Sequence, residues 1–540
     1  MNLKFSASLC FLLIGFLPLE SRNLYVSSHL GNDHNEGLSL LEAFKTIQYA
    51  SSVSQPGDTI LIASGIYKSS SKFLVKITNS GTKDHWIVFK NLEITRPILY
   101  VSNEAAISIN LASYIQIEGM EITIDPEYLG KNIIQEPANN LTSKGNGIQV
   151  ERSLTNNYLS HHIRIKNNYI HDCQGNGIDI FSSDYVDIIY NTIQANGNFS
   201  MSSNCGIRMQ FLSAFDQLEG DHIQIMYNTI SEHRQQGSLA KINTYCEENY
   251  CASGIVLRNN RYDPLNGFKT NYLLPIHISN NIISLNGGQA IDVYETDNVI
   301  IINNTTYQNN QNSESNCGEL QFNKSKNCKV INNIFYARLK MNGSSAGNYE
   351  NIIFKNNLYF NTNKFVKGEK DLNEDPMFTR LDHHTGVFDF ELRPKSPCIN
   401  TGSKDFVGAF DFNGSKRIVS GYVDLGALEY TGALPKPRDH EQMRIDKRHM
   451  TISWQQTYAA TTGQIIILNS KGDEFSARLY NGTGKLIEEE MRINGAKRGI
   501  EFDVSGLPNG LYFVTAFSEN DKLSSRYFVQ NTFTNLIRKN

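Results

Sequence analysis

The chain has 540 residues, 40% apolar and 19% charged, with a formal net charge of −4. That composition is ordinary for a globular protein. It leaves no global basic field for nucleic acid, so a polyanionic ligand must be met by local charge.

In chain order, Lys4 precedes an apolar run over 9–17, broken only by Gly15. The run is too short to span a bilayer with the usual margin and reads as a secretory signal within residues 1–22. Of the eight Cys, Cys10 falls in that segment, and the odd number left implies at least one unpaired thiol. Cys246 and Cys251 are close enough for a local disulfide, and no Cys/His spacing suits zinc. Residues 23–67 read as a cap: a strand over 24–26, a helix over 43–53 with Phe44, Ile47 and Ala50 on one stripe, and a strand over 59–62.

Internal repetition then dominates. An Asn-Asn or Tyr-Asn pair followed by apolar residues recurs at 167–170, 190–193, 227–230, 280–283, 303–304, 332–335 and 356–359. Two of the spacings, Asn168 to Asn191 and Asn281 to Asn304, are 23 residues. A second motif interleaves with it: Gly147-Ile148-Gln149-Val150, Gly177-Ile178-Asp179-Ile180, Gly206-Ile207-Arg208-Met209, Gly254-Ile255-Val256-Leu257 and Ala290-Ile291-Asp292-Val293. A constant coil with polar inserts predicts a parallel solenoid, a right-handed β-helix. Period-two alternation sends the Ile inward and makes Gln149, Asp179, Arg208, Val256 and Asp292 an outward column. The next outward position gives Glu151, Phe181, Gln210, Arg258 and Tyr294. The repeated Asn residues suit left-handed turns and amide stacking, so they receive no chemistry.

Residues 431–449 are polar and carry Pro435 and Pro437, as a linker does. From 450 to 540, strands over 464–468, 475–480, 499–504 and 511–517 with turns between them predict a small β-sandwich. The expected division is therefore 1–22, 23–430, 431–449 and 450–540.

Three segments resemble known families. Tyr25-Val26-Ser27, Gly31-Asn32-Asp33, Asn35-Glu36-Gly37, 44–48 (Phe44-Lys45-Thr46-Ile47-Gln48) and Pro56-Gly57-Asp58-Thr59 resemble the opening of secreted β-helix polysaccharide enzymes, a group that includes the family 9 polysaccharide lyases. Asp389-Phe390-Glu391-Leu392, 395–402 and 423–429 resemble their closing segment. The tail, through 506–514 and 526–530, resembles a type IX secretion C-terminal sorting domain. That resemblance implies an address read by the secretion machinery, and a secreted or cell-surface protein.

The lyase resemblance implies β-elimination on an acidic polysaccharide, with calcium bridging uronate and protein acids and a basic side chain taking the proton. It places Asn146, Asn176 and Asp179 at the calcium positions and Arg208 at the base. Asn176 is a weaker oxygen ligand than an acid, and an arginine is nearly always protonated, so Arg208 serves as base only when desolvated and otherwise clamps a carboxylate with its planar fork. A simple Asp179–Arg208 salt bridge is the structural alternative. Glu151, Gln210, Arg258 and Asp292 are candidate substrate-binding residues on column geometry.

Two other classes stay open. A glycoside hydrolase needs two carboxyls roughly 5–9.5 Å apart; Asp179 and Asp292, three coils apart, are too distant unless an acid such as Asp184, Asp187, Glu295 or Asp297 joins. A non-catalytic binder would use loop aromatics (Tyr158, Tyr185, Phe211, Tyr245, Tyr250, Tyr262), with an insert over 231–250 carrying His233, Arg234 and Lys241 as a groove wall. The His161-His162 and His383-His384 pairs suit turns better than chelation. The protein is expected to act as a monomer.

Overall fold

A computed structural model describes residues 21–432 except 102, 127–144, 152–158, 199–203, 235–251, 262–271, 313–317, 340 and 384–385, and beyond them seven strands between Met450 and Val529. Three long parallel sheets of 11, 9 and 10 strands wind as a right-handed β-helix. We call them sheets I, II and III. Each coil visits sheet II, then sheet I, then sheet III. In the coil that carries Asp179 the three strands are Ile178–Phe181, Asp184–Ile189 and Thr192–Gln194.

The small residue that opens each sheet II strand is required by crowding. A Cβ on Gly147, Gly177, Gly206 or Gly254 would lie 2.5–2.7 Å from the carbonyl oxygen of the next coil and equally close to a core Ile methyl. The Ile residues that follow, Ile148, Ile178, Ile207, Ile255 and Ile291, are fully buried. Each stabilises the stack by about 1.5–3 kcal/mol through burial.

The Asn pairs build the corner between sheets I and III. Its first residue turns the chain through a left-handed conformation: Asn167, Tyr190, Tyr227, Asn280, Asn303, Asn332 and Asn356 all have φ between 52° and 59°. The second residue points inward and joins a ladder. The backbone N–H and Nδ2 of Asn191 both donate to Asn228 Oδ1, at 2.9 and 3.1 Å. Asn228 repeats this with Asn281, Asn281 with Asn304, Asn304 with Asn333 and Asn333 with Asn357. Asn357 finally donates to the carboxylate of Asp371.

A parallel ladder runs where coils leave sheet III, through Cys173, Asn196, His233, Asn286 and Asn309. It ends when Asn309 donates to both oxygens of Glu319. His233 therefore lies inside the stack instead of walling a groove. Its Nδ1 accepts from Asn196 N–H, and burial pushes its pKa down to about 3. Most of the expected insert lies outside the described residues, as do Tyr158, Tyr245, Tyr250, Tyr262, Lys241, His384, Cys246 and Cys251. Cys173, Cys205, Cys328 and Cys398 are buried free thiols.

At the start, the helix occupies Ile47–Val53 and is shorter than expected. Asp33 accepts from the backbone of Lys45 and Thr46 and from the Thr46 hydroxyl, so residues 44–46 stay extended and Thr46 caps the helix. At the other end, residues 372–430 fold over the outer face of sheet III. There Phe378, Phe390, Leu392, Phe412 and Leu425 pack on Ile282, Tyr307, Ile334 and Leu358. Fully buried Arg417 clasps this strap with bonds to Gly426 O, Ala427 O, Glu429 and Asn280.

The seven late strands form two antiparallel sheets of three and four. The expected four are present; Met450–Gln456, Leu486–Arg492 and Lys522–Val529 join them.

Candidate active site

Register confirms the outward column on sheet II. Gln149 pairs with Asp179, Asp179 with Arg208, Arg208 with Val256, Val256 with Asp292 and Asp292 with Gln321. In the second column Phe181 pairs with Gln210, Gln210 with Arg258 and Arg258 with Tyr294. Glu151 lies one residue beyond Val150, the partner of Ile180.

Exposure divides this face. Ser108 and Gln149 are buried on one side, and Val256, Arg258, Asp292 and Gln321 on the other. Glu151, Asp179, Phe181, Arg208 and Gln210, a window on three successive strands, are partly exposed, as are Asn110 and Tyr294 on the second column, and Lys76 further along the first is exposed. Arg258 and Asp292 are thus not open substrate contacts. They form a buried ion pair, Nη2 to Oδ2 at 2.7 Å, and the Arg258 guanidinium also covers the Tyr294 ring.

Inside the window, Arg208 grips Asp179 in a two-point fork: Nε to Oδ1 at 2.7 Å and Nη2 to Oδ2 at 2.6 Å. Bidentate geometry fixes the guanidinium plane. An arginine is in general a poor base. Glu151 sits diagonally from Asp179, two residues beyond Asp179's partner Gln149, so the two Cβ atoms are about 7–8 Å apart. Desolvation first, then the negative charges of Asp179 and Glu104, push the Glu151 carboxyl above the usual range, against the pull of Lys72 and Lys76. Gln149 leaves its Nε2 without a partner among the described residues, a donor beside Asp179.

Calcium finds a poor donor set here. Asn146 Oδ1 accepts from Asn176 N–H at 2.8 Å, and Asn176 Oδ1 from Cys205 N–H at 2.9 Å. Both side chains are buried, and both Asp179 oxygens are in the Arg208 fork. Calcium takes six to eight oxygens in general. Among the described residues no group of three or more His, Cys, Asp or Glu side chains is placed to hold a metal.

The other acids have structural partners. Asp184 is buried and accepts from Tyr272 OH, Phe215 N–H and Tyr185 N–H, with His222 Nδ1 at 3.0 Å. Asp187 pairs with Arg164 on sheet I, Glu295 with Lys324 and Asp297 with Arg261. His161 and His162 lie in an aromatic stack that the sequence did not announce. Trp86, Tyr114, His162, Tyr185 and His222 each precede the first core residue of a sheet I strand, and their rings contact in succession. Phe215 stacks on His161 at 3.7 Å between centroids.

Residues 460–530 match the secretion system C-terminal sorting domain. No curated protein matches the chain. In fold the chain is similar to pectate lyase Pel9A, with 16% identity over 76% of this chain and 97% of that one and a TM-score of 0.45. It is also similar to a rhamnogalacturonan lyase (13% identity, 68% and 92% covered, TM-score 0.37) and to the GH136 lacto-N-biosidase from Eubacterium ramulus (14%, 61% and 68%, 0.33). The sorting domain at its C-terminus marks this as a protein handled by the type IX secretion system, secreted or held at the cell surface.

Proposed function

We propose that residues 23–430 form an enzyme acting on an acidic polysaccharide by β-elimination, with residues 450–540 serving as its export address. The observation that carries this reading is the window itself: neighbouring strands of sheet II present an arginine held flat by Asp179 and, diagonally from that aspartate, a carboxyl with raised proton affinity. Arg208 would meet the substrate's uronate carboxylate as the fixed cation of this face, which withdraws charge from the adjacent carbon. Glu151, once ionised, would accept the proton from that carbon. The electron pair left on that carbon forms a double bond to its neighbour as the bond to the glycosidic oxygen breaks; the oxygen leaves with its electron pair, takes a proton from water and becomes a hydroxyl, and the other product is an unsaturated uronate. Asp179 positions Arg208. No step needs calcium, and the donor set around Asp179 is not one we assign to it.

A second reading is favoured by the Glu151–Asp179 diagonal. Two carboxyls in different environments on adjacent coils suit a glycoside hydrolase, with Glu151 as the acid.

The test is the full chain against pectate, alginate, ulvan and glycosaminoglycans, read by ultraviolet absorbance of unsaturated uronate and by new reducing ends. An absorbance rise that Arg208→Ala lowers by about 10²–10³-fold supports elimination. New reducing ends without absorbance support hydrolysis. The pH profile gives an independent discriminator. A base Glu151 switches activity on as pH rises through its raised pKa, whereas an acid Glu151 switches it off over the same range.

A further inference from the structure

A cavity of about 420 Å³ opens at the corner where the first coils leave sheet III, away from the sheet II window. Four successive coils line it, each with residues at or just beyond the end of its sheet III strand. Lys68, Ser69 and Ser70 follow Ile66–Tyr67, and Tyr100 and Val101 end Ile98–Val101. Ile124 and Asp125 close Glu121–Ile124, and Gln174 follows Tyr169–His171. The register stacks them, since Tyr100 pairs with Thr123 and Val101 with Ile124.

The lining has two characters. Tyr100, Val101 and Ile124 supply its apolar part. Ser69, Ser70 and Gln174 give short polar groups at the rim, and Lys68 faces Asp125 with Nζ to Oδ2 at 3.8 Å. An ammonium and a carboxylate at that separation offer a donor and an acceptor one diol apart. A vicinal diol can donate one hydroxyl proton to Asp125 and accept from Lys68 with the other oxygen. An aromatic side chain lining the same cavity, Tyr100, suits the apolar face of a sugar ring. A free carboxylate ligand suits it less, because Asp125 would repel it.

We infer that this corner is a second glycan site that binds a neutral sugar residue through a vicinal diol, bridged between Lys68 and Asp125 and resting on Tyr100. The inference shares with the proposed function only the premise that the ligand is a glycan. The two can fail separately because the corner contains neither Glu151 nor Arg208. Lys72 and Glu104, paired at 2.9 Å, flank the start of the next sheet II strands. A polysaccharide with neutral branches could thus be held at the corner while its acidic backbone is worked on elsewhere.

The experiment is calorimetric titration of the full chain with neutral oligosaccharides of galactan, arabinan, xylan and mannan, repeated for Arg208→Ala, Asp125→Asn and Tyr100→Ala. One of the neutral probes is expected to bind wild type and Arg208→Ala equally. Asp125→Asn, near-isosteric and partly exposed, is expected to weaken binding by about tenfold, the worth of one charge-assisted hydrogen bond. Tyr100→Ala is expected to do at least as much. Equal affinity in wild type and Asp125→Asn overturns the assignment. So does binding that Arg208→Ala abolishes, or the absence of binding to every neutral probe. If Tyr100→Ala melts early, Asp125→Asn alone decides.

Discussion

Two aspartate–arginine pairs occupy one face of one sheet, and they do different work. Asp179 and Arg208 lie directly across adjacent strands, with side chains 15% and 14% exposed. Asp292 and Arg258 are set diagonally, with 2% and 7% exposed. Desolvation makes the second pair all-or-none, because removal of one partner strands a charge in the interior. The first pair keeps contact with solvent, so its guanidinium can still meet an incoming anion. Residue type alone does not separate structure from function on a solenoid face; local covering does.

Several substitutions would break that contrast if it is false. Asp292→Ala should cost about 3–5 kcal/mol in thermal or denaturant unfolding, whereas Asp179→Ala should cost on the order of 1–3 kcal/mol. Equal losses would erase the distinction. The double replacement Arg258→Met with Asp292→Leu should be close to neutral for stability and leave activity in place, since apolar side chains of similar volume often replace a buried pair at little cost. The same double change at Arg208 and Asp179 should leave the fold and abolish turnover.

A smaller effect should be seen with pH. Glu319 is fully buried and its carboxyl is pushed up to about 7, chiefly by desolvation. The folded state therefore holds a proton that the unfolded state, near 4.5, has released. Its contribution to stability is complete below about 4.5 and is lost as pH rises to about 7. Glu429, raised to about 7 by burial despite Arg417, acts in the same direction. Melting temperature should fall across that interval, and Glu319→Gln should flatten the fall. The least effect expected is that of salt: raising it from 0.05 to about 0.5 M should weaken substrate binding at Arg208 severalfold and leave the Arg258–Asp292 pair unmoved.

The stack was legible because its physics is local and periodic. Asn at a left-handed corner, Gly where coils touch and Ile in the core each recur at a readable spacing, and the columns followed from counting by two. The second ladder was readable in the same way. Asn196, His233, Asn286 and Asn309 each stand three residues after an inward Ile or Thr, a signal masked by one member being histidine. The Glu151–Asp179 neighbourhood also needed only the column count. Burial of Arg258 and Asp292 was not legible, because it depends on what covers a strand and not on the strand. The later start of the expected helix escaped the sequence for a related reason. Phe44 has the right spacing and is buried, but the Asp33 carboxylate, distant in sequence, holds its neighbours extended.

The amide ladders have a sense of direction. Each member gives its backbone N–H to a member at higher residue number, while the Asn Nδ2 groups also reach back to carbonyl oxygens at lower numbers, and the ladders close on the side-chain oxygens of Asp371 and Glu319. These two acids behave as terminators in a linear code. A duplicated coil spliced in before them would find a donor below and an acceptor above. Past Glu319 the stack runs on through Ile334–Tyr336 and Leu358–Phe360 without the second ladder among the described residues, so a ladder can stop while the coils continue.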